Sequence, residues 1–360
     1  MNTQSTSLAA ELTQRMLGLL RDVAYQPSPL GNLWKDWNYG ALSDLLQRLP
    51  CPSRESQNVA RAEFERAQQH EVQFLGFWHA QYPDSLRQLV QPPPLLCCRG
   101  NVELLTPTRV PRVAIVGARR CTSYGISTTT ELSSTLAAAG GIVISGLALG
   151  IDTAAHTAAI KARGPTSGIA VLGSGILQIY PRVNDSLARE IVEHHGLVLS
   201  EFGVATPAYP SNFLQRNRII AALADYVVVV EAAHRSGSLV TARHAIDLGK
   251  ELFATPGRID AQLSQGTNRL LSDGASPYLG VEDFSRSLTL EPNRILPCAR
   301  KITLAEGGEK KASKMLEIIG SNPEISFEQL YDRLREPAPR LQAELAKLEM
   351  AGYIERLSGD

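Results

Sequence analysis

The sequence predicts an α/β fold built on a parallel sheet, and three observations carry that expectation. Six short apolar runs, Val113–Val116, Ile142–Ile144, Ile169–Leu172, Leu197–Leu199, Tyr226–Val230 and Leu252–Ala254, recur through the middle of the chain. Each is continuous rather than alternating, as in strands covered on both faces. The segments between them are mostly of helical length and pattern, so strand and helix alternate. Glycine- or arginine-marked turns follow the runs, and ligands of such sheets bind beyond the carboxyl ends of the strands. Together these features describe an extended Rossmann-like parallel sheet domain over residues 81–285.

The flanks read differently. In residues 1–80, Leu12, Met16, Leu19 and Leu20, then Leu42, Leu45 and Leu46, lie at three- and four-residue spacings, the period of a helical apolar face. A small helical N-terminal domain follows from that. Gln81 to Leu89, followed by Pro92, Pro93 and Pro94, reads as an extended connection, because consecutive prolines exclude helix. Residues 286–310 are polar and end near Glu306-Gly307-Gly308-Glu309, the composition of a linker. In 311–360, Ala312–Ile319 reads as a helix, Ser326 and Gln329 form a capping box for a second, and Arg340–Met350 forms a third ended by Gly352. With Tyr353–Leu357 as a strand, this is the pattern of a C-terminal winged-helix domain.

Charge narrows the field of partners. The 360 residues carry 36 basic and 36 acidic side chains, so no global field favours a polyanion. Residues 109–280 alone are net positive, 15 basic against 12 acidic, which leaves only a local arginine cluster to do that work. The C-terminal 311–360, with 7 basic and 9 acidic residues, reads as a protein-contact module rather than a duplex reader. No window is long and apolar enough for a membrane span and the N-terminus lacks a signal pattern, so a cytoplasmic protein is expected. The five cysteines form no C-x-x-C pair and read as reduced thiols, with no metal site and no cofactor implied.

The turns carry the chemistry. In the first, Gly117 to Gly125, Gly117 permits a sharp turn, and Arg119 or Arg120 can add a guanidinium fork to the free amides that open the next helix at Ser123. The bland alternative is a tight turn with a surface arginine. It is neither G-x-G-x-x-G nor G-x-x-x-x-G-K-[ST]. In the second, Ser145-Gly146 leads to Asp152 and His156, read as a helix cap and a hydrogen-bonded histidine rather than a general-base pair. Gly173 and Gly175 permit close approach of a ligand, Tyr180 offers stacking or ordinary packing, and Arg182 offers a phosphate partner. Arg216 and Arg218 flank Asn217 at a helix start, where positive charge opposes the macrodipole. Either an anionic ligand or ion pairs with Glu201 or Asp225 would motivate them. Ser236-Gly237-Ser238 forms another anion-receiving turn, with Thr241 one turn on.

Taken together, Val116–Arg119 with Ser123–Gly125, Ser145-Gly146 with Gly150–His156, Val171–Gly175, Arg216–Ile220, Ser236–Ala242 and Pro256-Gly257 resemble the DprA/Smf family of DNA-processing proteins over most of 81–280. The two end segments resemble that family's helical, SAM-like N-terminal domain and its winged-helix domain. The resemblance implies a non-catalytic protein that binds single-stranded DNA, forms a homodimer, and helps load RecA on incoming DNA in natural transformation and recombination. It implies a strand-binding set of Gly117, Arg119, Ser123, Ser145, Gly146, Gly173, Gly175, Arg182, Arg216, Asn217, Arg218, Ser236, Gly237 and Ser238, with Arg119 as its main charge. Two departures stand out. Leu214 and Gln215 replace a proline and a basic residue, and His234 and Arg235 replace small residues before Ser236. The alternative is a nucleotide phosphoribohydrolase on the same Rossmann variant, whose Pro-Gly-Gly-x-Gly-Thr-x-x-Glu signature supplies a catalytic carboxylate. Ser236 to Arg243 contains none. A winged-helix transcription regulator is a third reading, distinguished by preference for a specific duplex.

Overall fold

The computed structural model describes residues 3–22, 42–288, 327–334, 341 and 345. Within them the six apolar runs all become strands of one nine-stranded sheet. In chain order the strands are β1 (Gln73–Gly76), β2 (Leu95–Gly100), β3 (Arg112–Val116), β4 (Ile142–Ser145), β5 (Ile169–Val171), β6 (Leu197–Ser200), β7 (Tyr226–Val229), β8 (Glu251–Ala254) and β9 (Ser276–Pro277). Their order across the sheet is β1-β2-β6-β5-β4-β3-β7-β8-β9. Pairing is parallel from β6 to β9, whereas β1 and β2 pair antiparallel at the other edge.

Continuous apolar runs suit this sheet because both faces are covered. Ala114, Val116, Ile144, Val227 and Val229 lie in one core with Ile219, Ile220 and Leu223 of helix Pro210–Leu223. Their neighbours Val113, Ile115, Val143 and Val228 turn to the other face, against Leu132 and Leu136 of helix Ser123–Ala138 and Ala155 and Ala159 of helix Ile151–Lys161. Burying each such valine or isoleucine contributes roughly 1.5–3 kcal/mol. The first core continues into Leu12, Met16 and Leu17 of helix Thr3–Asp22, so the N-terminal helices extend the layer that covers the sheet.

The topology fixes where a ligand can sit. From β3 the chain winds outward through β4, β5 and β6, then returns to place β7 on the opposite side of β3. Val116 and Val229 are register partners, so the turns that leave β3 and β7 open side by side. This is the switch point of the sheet, where diverging connections leave a crevice.

Several elements differ from the sequence reading. Strand β1 lies inside the segment read as wholly helical, and β2 follows the prolines directly. β1 is a short edge strand paired only with β2, the pairing of β2 with β6 is a tertiary event, and neither sequence shows alternation to announce it. Asp84–Arg87 makes one helical turn within the stretch read as extended, and helix Val281–Ser287 runs across the boundary placed at 285. Residues 1–296 form one compact unit and 297–360 a second. In the second, helix Phe327–Leu334 follows the expected capping box, and Leu341 and Leu345 are helical. The expected helix Ala312–Ile319, the rest of Arg340–Met350 and strand Tyr353–Leu357 lie outside the described residues, as does most of the 286–310 linker. Among the described residues no helix is long and apolar enough to cross a membrane.

Candidate functional site at the switch point of the sheet

A cleft of about 370 Å³ opens between the turns after β3 and β7 and the start of helix Pro210–Leu223. Gly117, Arg119 and Arg120 line it from the first turn, Arg235 to Ser238 from the second, and Phe213, Leu214, Arg216 and Asn217 from the helix. One buried carboxylate pins the two turns together. Glu231, just past β7, accepts hydrogen bonds from the Thr122 amide at 2.9 Å and the Thr122 hydroxyl at 2.5 Å. Thr122 in turn caps helix Ser123–Ala138 by accepting from the Gly125 amide at 3.2 Å. Gly125 lacks the side chain that would meet Glu231, since a Cβ there would lie 2.5 Å from Oε2.

The layer facing the cleft is open and cationic. Arg119 is exposed, and its guanidinium lies 5.1 Å from the centroid of the Phe213 ring, a cation–π distance. The Phe213 ring lies 5.5 Å from that of Tyr180, which is 47% exposed, and Arg182 is exposed two residues further on. Across the cleft, helix Ser238–Asp247 starts from Gly237 with no side-chain cap. Asn217 donates from Nδ2 to the Gly237 carbonyl at 3.1 Å and holds that turn in place.

Behind it lies a layer whose polar groups are already engaged. Arg216 is 3% exposed and donates to the carbonyls of Gly146, at 2.8 Å, and Val171. Burial pushes its guanidinium down to about 10, with Asp152 opposing the shift. Arg218 does not line the cleft. It is buried in a two-bond ion pair with Glu201, at 2.6 and 3.1 Å. The helix begins at Pro210, so Arg216 and Arg218 lie in its middle rather than at the helix start expected from the sequence; their charge has internal partners, and the ion-pair alternative holds for Arg218.

The remaining expected contacts also fall in this rear layer. The Ser145 hydroxyl donates to the Ile115 carbonyl at 2.7 Å and ties β4 to β3. Gly146 leaves space for the Arg216 guanidinium, Gly173 for the Phe213 ring, and Gly175 for the backbone at Gly203. Ser123 is exposed at its helix start but does not line the cleft. Asp152 is not the cap of its own helix, which starts from Gly150; its carboxylate accepts from the Gly146 and Ala148 amides at 3.0 and 3.3 Å. Burial raises its pKa. His156 is fully buried beside the backbone of Ser145, which opposes the effect of burial on its ring. Burial pushes it down to about 4.

Of the fourteen expected residues, the cleft brings together Gly117, Arg119, Arg216, Asn217, Ser236, Gly237 and Ser238. Arg182 stands outside it, past Tyr180. Phe213 was not singled out from the sequence, although its position three residues before Arg216 puts both on one helical face. Among the described residues no three His, Cys, Asp or Glu side chains are grouped to hold a metal.

A family model for DNA recombination-mediator protein A matches residues 73–289. The chain belongs to the DprA/Smf family. A second model, the DprA winged helix domain, matches 303–360. Among DprA/Smf relatives, the chain is 42% identical over 202 residues to DNA processing protein DprA of Streptococcus pneumoniae, covering 56% of this chain and 69% of that one. It is 35% identical over 280 residues to Protein Smf of Escherichia coli, covering 77% and 74%. The solved DprA of S. pneumoniae superposes with a TM-score of 0.59 at 31% identity, over 78% of this chain and 94% of the other. DNA processing protein A of Helicobacter pylori, whose structure is described for its single-stranded DNA binding mode, superposes with a TM-score of 0.54 at 34% identity, over 60% and 95%.

Proposed function

We propose that the switch-point cleft binds single-stranded DNA without transforming it. One observation carries this reading: Arg119 lies over the Phe213 ring, which neighbours an exposed Tyr180, at the mouth of a cleft with further arginines. Aromatic faces stack on any base and contribute roughly 1–3 kcal/mol each, and guanidinium forks hold phosphates, so the pair suits an unpaired strand of arbitrary sequence. The solved H. pylori relative, described for its single-stranded DNA binding, supports the same reading. The carboxylate lining the cleft, Asp152, is buried and held by two amides. That favours holding a strand over acid–base work, and the nucleotide-hydrolase alternative gains nothing from it.

In this reading the bound strand is passed to RecA by a homodimeric cytoplasmic protein during DNA uptake and recombination, as the family resemblance implies. The test is fluorescence anisotropy on labelled oligo-dT, without nucleotide or metal. Wild-type protein binds with salt-sensitive affinity, because phosphate contacts release counterions, and Arg119→Ala weakens binding at least roughly tenfold. Unchanged binding by that variant removes the cleft from the function. Faster assembly of RecA on strands covered by single-strand-binding protein tests the loading step.

A further inference from the structure

A carboxylate of the N-terminal helices reaches the loop that follows β6. Glu63, on helix Arg54–Gln69, accepts a 2.6 Å hydrogen bond from the backbone amide of Val204, 141 residues further along the chain. Val204 is fully buried, so its amide has no water to turn to, and a carboxylate is the strongest acceptor a side chain can offer it. The helix that carries Glu63 is itself anchored. Asp22, at the end of helix Thr3–Asp22, accepts from the amide and the hydroxyl of Ser53, each at 2.9 Å, and from the Ser56 hydroxyl at 2.6 Å, while Ser53 caps helix Arg54–Gln69. Ala67, one turn after Glu63, packs in the same apolar cluster as Val204.

The loop that Glu63 holds is joined in turn to the segment that leads to Tyr180. The Leu177 amide donates to the Val204 carbonyl at 2.9 Å, and the Gly175 amide donates to the Thr206 carbonyl at 2.8 Å. Both polar groups of Val204 are thus in use, its amide by the N-terminal helix and its carbonyl by the segment after β5. Gly175 lets the two backbones touch, since a Cβ there would collide with the carbonyls of Gly203 and Val204. Ile176, Leu177 and Ile179 pack in the cluster that holds Val204. Tyr180 follows at once, with its ring 5.5 Å from that of Phe213, over which Arg119 lies. Two backbone hydrogen bonds therefore connect helix Arg54–Gln69 to the aromatic edge of the cleft.

We propose that Glu63 is a positioning residue of the cleft, which fixes the Gly203–Thr206 loop and, through Val204 and Leu177, the placement of the Tyr180 ring against a bound base. The proposal rests on the single-stranded DNA reading and gives the N-terminal helices a part in binding without any contact to the strand. A stacking ring contributes fully only where its approach is fixed to a fraction of an ångström, and an exposed tyrosine on an irregular segment depends on such support. The acceptor oxygen, not the charge, is what the relay needs.

The experiment measures oligo-dT anisotropy on the full chain, at a temperature where thermal melts show every variant folded. Glu63→Ala, Glu63→Asp and Glu63→Gln are each made alone and together with Tyr180→Ala, with Arg119→Ala as the control for the cleft. Glu63→Ala is expected to weaken binding roughly fivefold, less than the roughly tenfold loss from Tyr180→Ala, because the ring is displaced rather than removed. Glu63→Gln keeps an acceptor oxygen at the same reach and binds like wild type despite the lost charge. Glu63→Asp keeps the charge but falls short of the Val204 amide, and follows Glu63→Ala. In the Tyr180→Ala background Glu63→Ala adds nothing, a coupling that a general loss of stability does not produce. The relay is overturned if Glu63→Ala binds like wild type, if it weakens binding by the same factor with and without Tyr180, or if affinity follows the charge, with Glu63→Asp normal and Glu63→Gln weak. In each of those cases weakened binding by Arg119→Ala leaves the strand-binding cleft standing. Wild-type protein that fails to bind oligo-dT overturns both.

Discussion

Arg119 and Arg216 line one cleft, yet the first is exposed above an aromatic ring and the second is buried among carbonyls that use its donors. The same division runs through the whole site. Arg119, Phe213 and Arg235 form a front layer that lines the cleft; Arg216, Arg218, Glu201, Gly146, Gly173 and His156 form a rear layer that shapes it. The lesson concerns what an arginine beside a cleft means. A guanidinium is a ligand-binding group only where the fold has not already spent its hydrogen bonds, and burial with good partners is the sign that it has.

This division predicts that rear-layer changes cost stability and front-layer changes cost affinity. The largest effect is expected from Arg218→Met, which strands the Glu201 carboxylate in the interior and destabilises by about 3–5 kcal/mol, a melting temperature lower by roughly 10 °C. Combining it with Glu201→Leu removes the unpaired charge and recovers most of that loss. A single variant that melts normally but fails to bind DNA would move Arg218 into the front layer.

Next comes the acid sensitivity of His156. Its folded pKa, about 4, lies below its ordinary 6.5, so between these values the unfolded chain takes up a proton that the folded chain refuses. The stability is complete above pH 6.5 and falls as pH drops toward 4, by about 1.4 kcal/mol per pH unit. Asp152, raised by burial, acts in the opposite direction, so the comparison is with His156→Leu at each pH. The variant should show a flatter dependence of melting temperature on pH from 6.5 to 4; identical slopes refute the assignment.

The smallest of these effects sharpens the front layer. Phe213→Ala removes one stacking face and should cost roughly 1–3 kcal/mol of binding, with Phe213→Trp retaining it, as read by oligo-dT anisotropy. Loss in both variants would mean that Phe213 positions Arg119 rather than a base.

Much of the fold was legible. The six central strands were readable because a strand buried on both faces writes its burial into consecutive residues, as at Val113–Val116 and Tyr226–Val229. Strands β1 and β2 were not, because Leu95–Gly100 joins the sheet through a partner far along the chain, Leu197–Ser200, and Gln73–Gly76 joins it only by pairing with Leu95–Gly100. At the site, the turns after β3 and β7 were found from glycine and arginine spacing. Which glycine makes room for a protein group was not, since Gly146 and Gly237 look alike in sequence and differ only in what stands where a Cβ would be.

The sequence by itself determined the parallel sheet, the turns that border its ligand edge and the candidate cations, because these depend on local composition and period. Only the tertiary structure decided which cations are free. Arg218 meets Glu201 from 17 residues away and Arg216 meets Gly146 from 70, and such pairings depend on how helices and strands stack, which no local pattern records.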